Sequence, residues 1–252
     1  MEFLGPNLVL TTTVFTTTTA NFTGTVVNFF DRNLQLEWSP SGFTTNTSAV
    51  ISIYFGTNTV VSHVLLQNHN LRQFQIFYNS LTANTFTPAI SETTNSATSS
   101  YYSFASITVQ SIHLQIDRSI SNDSERSVGE WVLSNRQVPF VINPSIQNYK
   151  AQLFRKQIRH EMPDGGAKLF NLKDKFRAKL SWAFITEAFK LDLFDAFEDN
   201  EALYFVPFPT TTLWDGIAYE VVIVGPFDFN YGSNVRATGW KGSLSIEETP
   251  SA

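Results

Sequence analysis

Residues 112–116 read Ile112-His113-Leu114-Gln115-Ile116. Apolar and polar side chains alternate with a period of two. In a β-strand, that period puts Ile112, Leu114 and Ile116 on one face and His113 and Gln115 on the other. One face is then buried and one is wet. The same reading extends outward along the chain. Val50-Ile51-Ser52-Ile53-Tyr54-Phe55 forms a strand that stops at Gly56, and Val60–Leu66 forms a second. Phe74-Gln75-Ile76-Phe77-Tyr78 is a third, with Phe74, Ile76 and Tyr78 on one face. Ile107–Val109 is a short neighbour of 112–116. Short strands separated by turns suggest a sandwich or jelly roll. Thr11–Thr19 is rich in β-branched threonine without hydrophobic alternation, so it is an edge strand or an extended arm. Asn84–Ser100 is polar and reads as a long exposed loop.

The chain of 252 residues is long enough for one large or two modest domains. Composition shifts near residue 120. The run 118–127 is polar, carries one isolated Ile and shows no periodicity, so it reads as a linker between domains 1–117 and 128–252. In the second domain, Pro163-Asp164-Gly165-Gly166 is a turn between two strand-like runs, Tyr149–Glu161 and Ala167–Trp182. These form a long hairpin. A helix is expected over about 183–198, with Ile185, Phe189, Asp192 and Ala196 in one row and Leu193 and Phe197 beside it. Ala202–Phe208, Ala218–Val224 (ended by Gly225-Pro226) and Val235–Ile246 are strand-like. The fold class is therefore mainly β, a jelly-roll sandwich followed by a β-rich domain with a long hairpin and one helix.

Composition excludes several chemistries. Cysteine is absent, which removes disulfides, thiolate metal sites and thiol nucleophiles. The net charge of −5 disfavours a phosphate-backbone binder, which needs clustered cations. The only cationic concentration is Arg155-Lys156-Gln157-Ile158-Arg159-His160, continued by Lys168, Lys173, Lys175, Arg177 and Lys179. Arg177 and Lys179 alternate with Phe176, Ala178 and Leu180, as on one polar strand face. Such a face suits a subunit interface, a tube lumen or plain solvent. His63, His69, His113 and His160 show no zinc-ligand spacing, and no nucleophile elbow, P-loop or dinucleotide motif occurs. Asp192, Asp195, Glu198, Asp199 and Glu201 cluster on a helix and its end, which is a solvated face rather than a hydrolase pair. No catalytic residue and no enzyme activity are expected. The N-terminus lacks a basic region before its apolar run, and no apolar stretch approaches the ~20 residues that span a bilayer. Synthesis in a cytoplasm without a secretory signal is the expectation, with no membrane insertion.

Two resemblances sharpen this. Phe30-Asp31-Arg32-Asn33-Leu34-Gln35-Leu36-Glu37-Trp38, then Ile51–Gly56, Val64–Leu71, Phe74–Tyr78, Tyr101–Phe104 and Ile112–Ile116, resemble in order and spacing the galactose-binding-like (discoidin, F5/8 type C) jelly rolls over about 25–117. That resemblance implies a structural calcium at Asp31 and Asn33, although the two side chains could equally close a turn. It also implies a glycan site at Trp38, Phe43 and His69. Residues 128–248 resemble distal-tail or minor-tail proteins of tailed phages. The basic hairpin, Leu180-Ser181-Trp182 leading into a helix, Tyr204–Pro209 and the closing Trp240–Glu248 carry this likeness. It implies a virion protein at the tail tip or baseplate, a ring-forming homo-oligomer in contact with other tail proteins, and a host surface glycan as a further partner. The alternative is a carbohydrate-binding module or adhesin with no virion role. A polysaccharide depolymerase is the third and weakest reading.

Overall fold

The computed structural model describes residues 1–10, 13–17, 22–23, 37–40, 48–80, 83–120, 126–144, 150–161, 167–199, 202–209, 218–233 and 238–249. Among these, strands dominate and one α-helix is present, as in a β-sandwich class protein. The strands are β1 (Glu2–Leu4), β2 (Thr13–Thr17), β3 (Phe22–Thr23), β4 (Ser39–Pro40), β5 (Ala49–His69), β6 (Leu71–Ser80), β7 (Ala83–Glu92) and β8 (Ser100–Ser119). They continue with β9 (Val128–Ser134), β10 (Gln137–Pro139), β11 (Lys150–Glu161), β12 (Ala167–Ile185), β13 (Leu203–Val206), β14 (Tyr219–Ser233) and β15 (Thr238–Glu248). Helix α1 spans Glu187–Glu198.

The chain divides into two compact units. The first holds Glu2–Gln137 with Val206–Ala218, and the second holds Val138–Phe205 with Tyr219–Pro250. The division does not fall in the polar run 118–127. Composition misleads there because β8 runs on to Ser119 and Arg126, at the far end of the run, is hydrogen-bonded to it. Arg126 is fully buried, and its guanidinium donates to the carbonyls of Ile116 at 3.1 Å and Asp117 at 2.6 Å. β9 then pairs with β5 and carries Trp131 into the first unit's core.

The first unit is built on an antiparallel sheet in the order β2-β5-β8-β6-β7, with β9 also on β5. The period-two pattern sets its faces. Ile51 and Ile53, Phe74 and Ile76, and Ile112, Leu114 and Ile116 share one core with Trp38, Trp131 and Leu133. Two strands expected on either side of Gly56 are one strand of 21 residues. The irregularity at Gly56 is absorbed as a register shift between Tyr54 and Thr59 against β8, so the chain bulges instead of turning. Ile107–Val109 and Ile112–Ile116 merge likewise into β8. Most of the expected loop after Asn84 is β7, whose Thr and Ser alternate at a sheet edge. The loop that remains is closed by Asn95, whose Nδ2 donates to the carbonyls of Leu71 at 2.6 Å and Ala97 at 2.8 Å. Of the two readings of Thr11–Thr19, the edge strand holds, as β2 against β5.

The second unit orders its strands β13-β14-β15-β12-β11. The long hairpin forms as expected, β11 against β12 in antiparallel register from Lys150↔Lys179 to Glu161↔Ala167. The helix begins later than the periodicity suggests. Trp182 and Ile185 still pair in β12, and Thr186 caps the helix by accepting from the Phe189 N–H at 3.2 Å. Phe189, Leu193 and Ala196 are its buried row, whereas Asp192 is exposed. Gly225 does not end β14. At φ +80° it makes the bulge between Val224 and Asp228, a backbone conformation that glycine reaches without strain. Rings fill this core. Phe176 stacks on Tyr219 at 3.8 Å, and Phe140 meets Trp182 at 5.6 Å and Phe189 at 5.8 Å.

Candidate functional site

The outward face of the first unit's sheet carries the candidate site. Register places its side chains in rows across the strands. Val50 on β5 is level with Gln115 on β8, which is level with Gln75 on β6. The next row is Ser52, His113 and Phe77, and the third is Tyr54, Ser111 and Asn79. Neighbouring strands lie about 4.8 Å apart and successive rows about 6.7 Å apart. Tyr54 and Phe77 therefore flank His113 from opposite sides, about 12 Å from each other by this lattice.

His113 is the floor of this arrangement. It is 6% exposed, with Nδ1 at 2.7 Å from Ser52 Oγ and Nε2 at 2.9 Å from Ser111 Oγ. Burial lowers its pKa. A neutral imidazole has one donor and one acceptor nitrogen, which two serine hydroxyls can match in either tautomer. Tyr54 stands edge-on to the imidazole, with centroids 5.8 Å apart and planes at 86°, and is 42% exposed. Phe77 is half-buried. A depression of about 210 Å³ opens among Val50, Phe77, His113 and Gln115. Gln115 supplies its amide, whose Nε2 donates to Asp117 Oδ1 at 2.9 Å, and beside Gln115 on β6 Gln75 Nε2 donates to Ser91 Oγ at 3.3 Å. Ser48 Oγ anchors Asp117 at 2.6 Å. The face thus combines two accessible rings with donors and acceptors on either side of a neutral, braced base.

Two of the three residues expected to meet a glycan are buried. Trp38 is wholly buried in the first unit's core, with its backbone bridged to Val128 at 3.0 and 3.1 Å. Its ring is filler for the sandwich, not a platform. His69 is 2% exposed. Its Nδ1 accepts the Leu71 N–H at 3.2 Å, its Nε2 meets Ser100 Oγ at 3.1 Å, and burial pushes its pKa down to about 4. That ring is neutral and structural, closing the turn from β5 to β6. Phe43 lies outside the described residues, as do Asp31 and Asn33, the positions expected for calcium. Among the described residues, no three His, Asp or Glu side chains gather as metal ligands, and no helix is long and apolar enough to cross a membrane.

The sequence pattern puts His113 on a strand face as a satisfied structural histidine, and its two serine partners agree with that; Tyr54, Phe77 and Gln75 were passed over as site residues. The alternation around each was visible. Which of them become neighbours depends on register, which alternation alone leaves open by steps of two residues.

No protein-family model and no curated protein matches the sequence. Among solved structures, part of the chain is similar to chitosan-binding module 1 of a chitosanase/glucanase from Paenibacillus sp. IK-5, at 18% identity over 51% of this chain and 98% of that one, with a TM-score of 0.43. It is also similar to the family 32 carbohydrate-binding module of NanJ from Clostridium perfringens, solved with galactose, at 13% identity over 54% of this chain and 100% of that one, with a TM-score of 0.43. A GH29 fucosidase of Ruminococcus gnavus, solved with fucose, is similar at 14% identity over 51% of this chain and 26% of its own, with a TM-score of 0.44. Likeness at this level is a partial likeness of chain path and assigns no function.

Proposed function

We propose that the protein binds carbohydrate without turning it over, through the outward face of the β5-β8-β6 sheet. The observation that carries this reading is the Tyr54–His113–Phe77 arrangement with its flanking Gln75 and Gln115. A pyranose presents a C–H face that suits an aromatic ring and a rim of hydroxyls that both donate and accept. Amides and hydroxyls can meet that rim in kind. The 210 Å³ depression is smaller than the roughly 300–1,000 Å³ of drug-sized ligand sites, so it suits one sugar ring with its neighbours lying along the sheet. The floor is braced before any ligand arrives, which reduces the ordering cost of binding.

A glycan array, run with and without calcium, tests this. The intact chain should capture a defined set of oligosaccharides. Tyr54→Ala and Phe77→Ala should each weaken capture about tenfold, equivalent to about 1.4 kcal/mol, while the fold is kept. A blank array overturns the reading, as does capture that survives both substitutions. Calcium dependence would speak for an ion at Asp31 and Asn33.

A second reading has its own observation. β11 is the outermost strand of its sheet and 12 residues long, and it presents one edge to whatever lies beyond. Strand addition at such an edge is a means of assembly, as in a ring of tail-tip or baseplate subunits of a tailed phage. Its basic residues, such as Lys150, Arg155 and Arg159, favour an acidic partner strand over a copy of itself. Light scattering that shows a defined ring, and detection of the protein in purified particles, would support this role. A monodisperse monomer absent from particles would dismiss it.

A further inference from the structure

The cationic concentration of the sequence lies in the second unit, where the proposed sheet-face site makes no use of it. β12 alternates strictly there. Phe176, Ala178 and Leu180 are buried, while Lys175 is half-buried and Arg177 and Lys179 are exposed on the opposite face. Residues two apart on a strand lie about 6.7 Å from one another, so the three cations make a row about 13 Å long. On the β15 side, Arg177 is level with Glu247 and Lys179 with Ser245. On the β11 side, Lys179 is level with Lys150 and Arg177 with Gln152. A cleft of about 390 Å³ opens on this face, with Arg177, Lys179, Val224, Ser245 and Glu247 in its lining. Arg177 Nη2 donates to Glu247 Oε1 at 2.8 Å, with side chains 45% and 26% exposed. That ion pair is exposed enough to add little to stability. Its effect is to hold a guanidinium at the cleft.

We propose that this cleft is a separate binding site for an anionic glycan, a sugar chain carrying carboxylate or sulfate groups. The row of cations takes the anionic groups through charge-assisted hydrogen bonds. Glu247 and Ser245 take sugar hydroxyls, which a carboxylate accepts from and a serine can accept from or donate to. A nucleic acid strand fits less well. No described lining residue is a ring on which a base could stack, whereas Ser245 and Glu247 offer partners for sugar hydroxyls. The site does not rest on the sheet-face reading and stands or falls by itself.

Calorimetric titration of the intact chain tests it, with four probes: an oligogalacturonate for carboxylate, a chondroitin sulfate oligosaccharide for sulfate, a neutral galacto-oligosaccharide and single-stranded DNA of matched charge. At least one acidic glycan should bind more tightly than the neutral one. Its affinity should fall about tenfold or more between about 50 and 500 mM salt. The double variant Arg177→Ala/Lys179→Ala should lose about tenfold or more, and Lys179→Gln, which keeps most of the aliphatic stem, should lose severalfold. Tyr54→Ala/Phe77→Ala should leave this binding untouched. Equal binding of acidic and neutral sugars overturns the proposal, as does an unchanged affinity in the folded double variant. DNA bound more tightly than either acidic glycan would instead make the cleft a nucleic-acid surface.

Discussion

In the first unit the sheet buries aliphatic side chains, such as Ile51, Ile53, Ile112, Leu114 and Ile116, and turns Tyr54 and Phe77 outward. In the second unit Phe176 stacks on Tyr219, Phe140, Trp182 and Phe189 pack as a three-ring cluster, and β12 turns Lys175, Arg177 and Lys179 outward. Both strands alternate with the same period, yet they expose opposite chemistry. The first unit's core also holds rings, since Phe74, Trp38 and Trp131 lie in it, and the second unit leaves Tyr231 63% exposed. The difference lies in the sheet faces. β-branched residues fill most of the first unit's inward face, and what β5, β6 and β12 turn outward decides what each unit can bind.

This contrast can be broken by substitution. The largest effect is expected at Trp131, which is fully buried in the aliphatic core. Trp131→Ala should cost about 4 kcal/mol in denaturant unfolding, because the cavity adds to the lost burial. Tyr54→Ala, on the same sheet but outward, should cost under about 0.5 kcal/mol. Equal losses at the two positions would mean that the faces have been misassigned.

Acidification should come next. His69 titrates near pH 4 in the folded chain and near 6.5 when unfolded, because burial disfavours its charged form. Between those values the unfolded chain holds a proton that the folded chain excludes, so stability falls as pH drops below about 6.5 and levels off below about 4. From pH 7 to 5 the loss through His69 is about 2 kcal/mol. Burial lowers the pKa of His63 and His113 as well, so they act in the same direction. All three belong to the first unit, which should therefore be the acid-sensitive one. Thermal melts against pH, together with His69→Gln, check this. A melting temperature that does not change from pH 7 to 5 would count against buried, neutral histidines. A smaller effect than acidification is expected in the second unit. Thr186→Ala removes the helix cap and should cost about 1 kcal/mol in the same melts.

Much of the fold could be read from the residues. The alternation at 112–116 gave the strand and its inward row of Ile112, Leu114 and Ile116, although His113, expected on the wet face, is 6% exposed. The turn signal read at Pro163–Gly166, which lies outside the described residues, pointed to the hairpin that β11 and β12 form. Strand ends were harder. Gly56 and Gly225 look like stops in sequence, but each sits in a bulge that the partner strand accommodates. The domain boundary was hidden because Arg126 reads as a solvated charge, whereas in the fold its guanidinium satisfies two β8 carbonyls. Trp38 and His69 were plausible surface residues because a single aromatic beside polar neighbours gives no sign of its depth. The Tyr54–His113–Phe77 arrangement needs three strands in one register, and their hydrogen-bonded partners come from positions 52, 54, 77, 111 and 113. No local pattern contains that information.

The imidazole signals of the four histidines, followed by NMR during titration with an oligosaccharide captured on the array, test the central claim most directly. If the sheet face is the binding surface, the His113 signals shift and saturate with the affinity measured by calorimetry, while those of buried His69 stay in place. Saturable binding that leaves His113 unmoved, or that moves His69 as far, would place the sugar elsewhere and contradict the account.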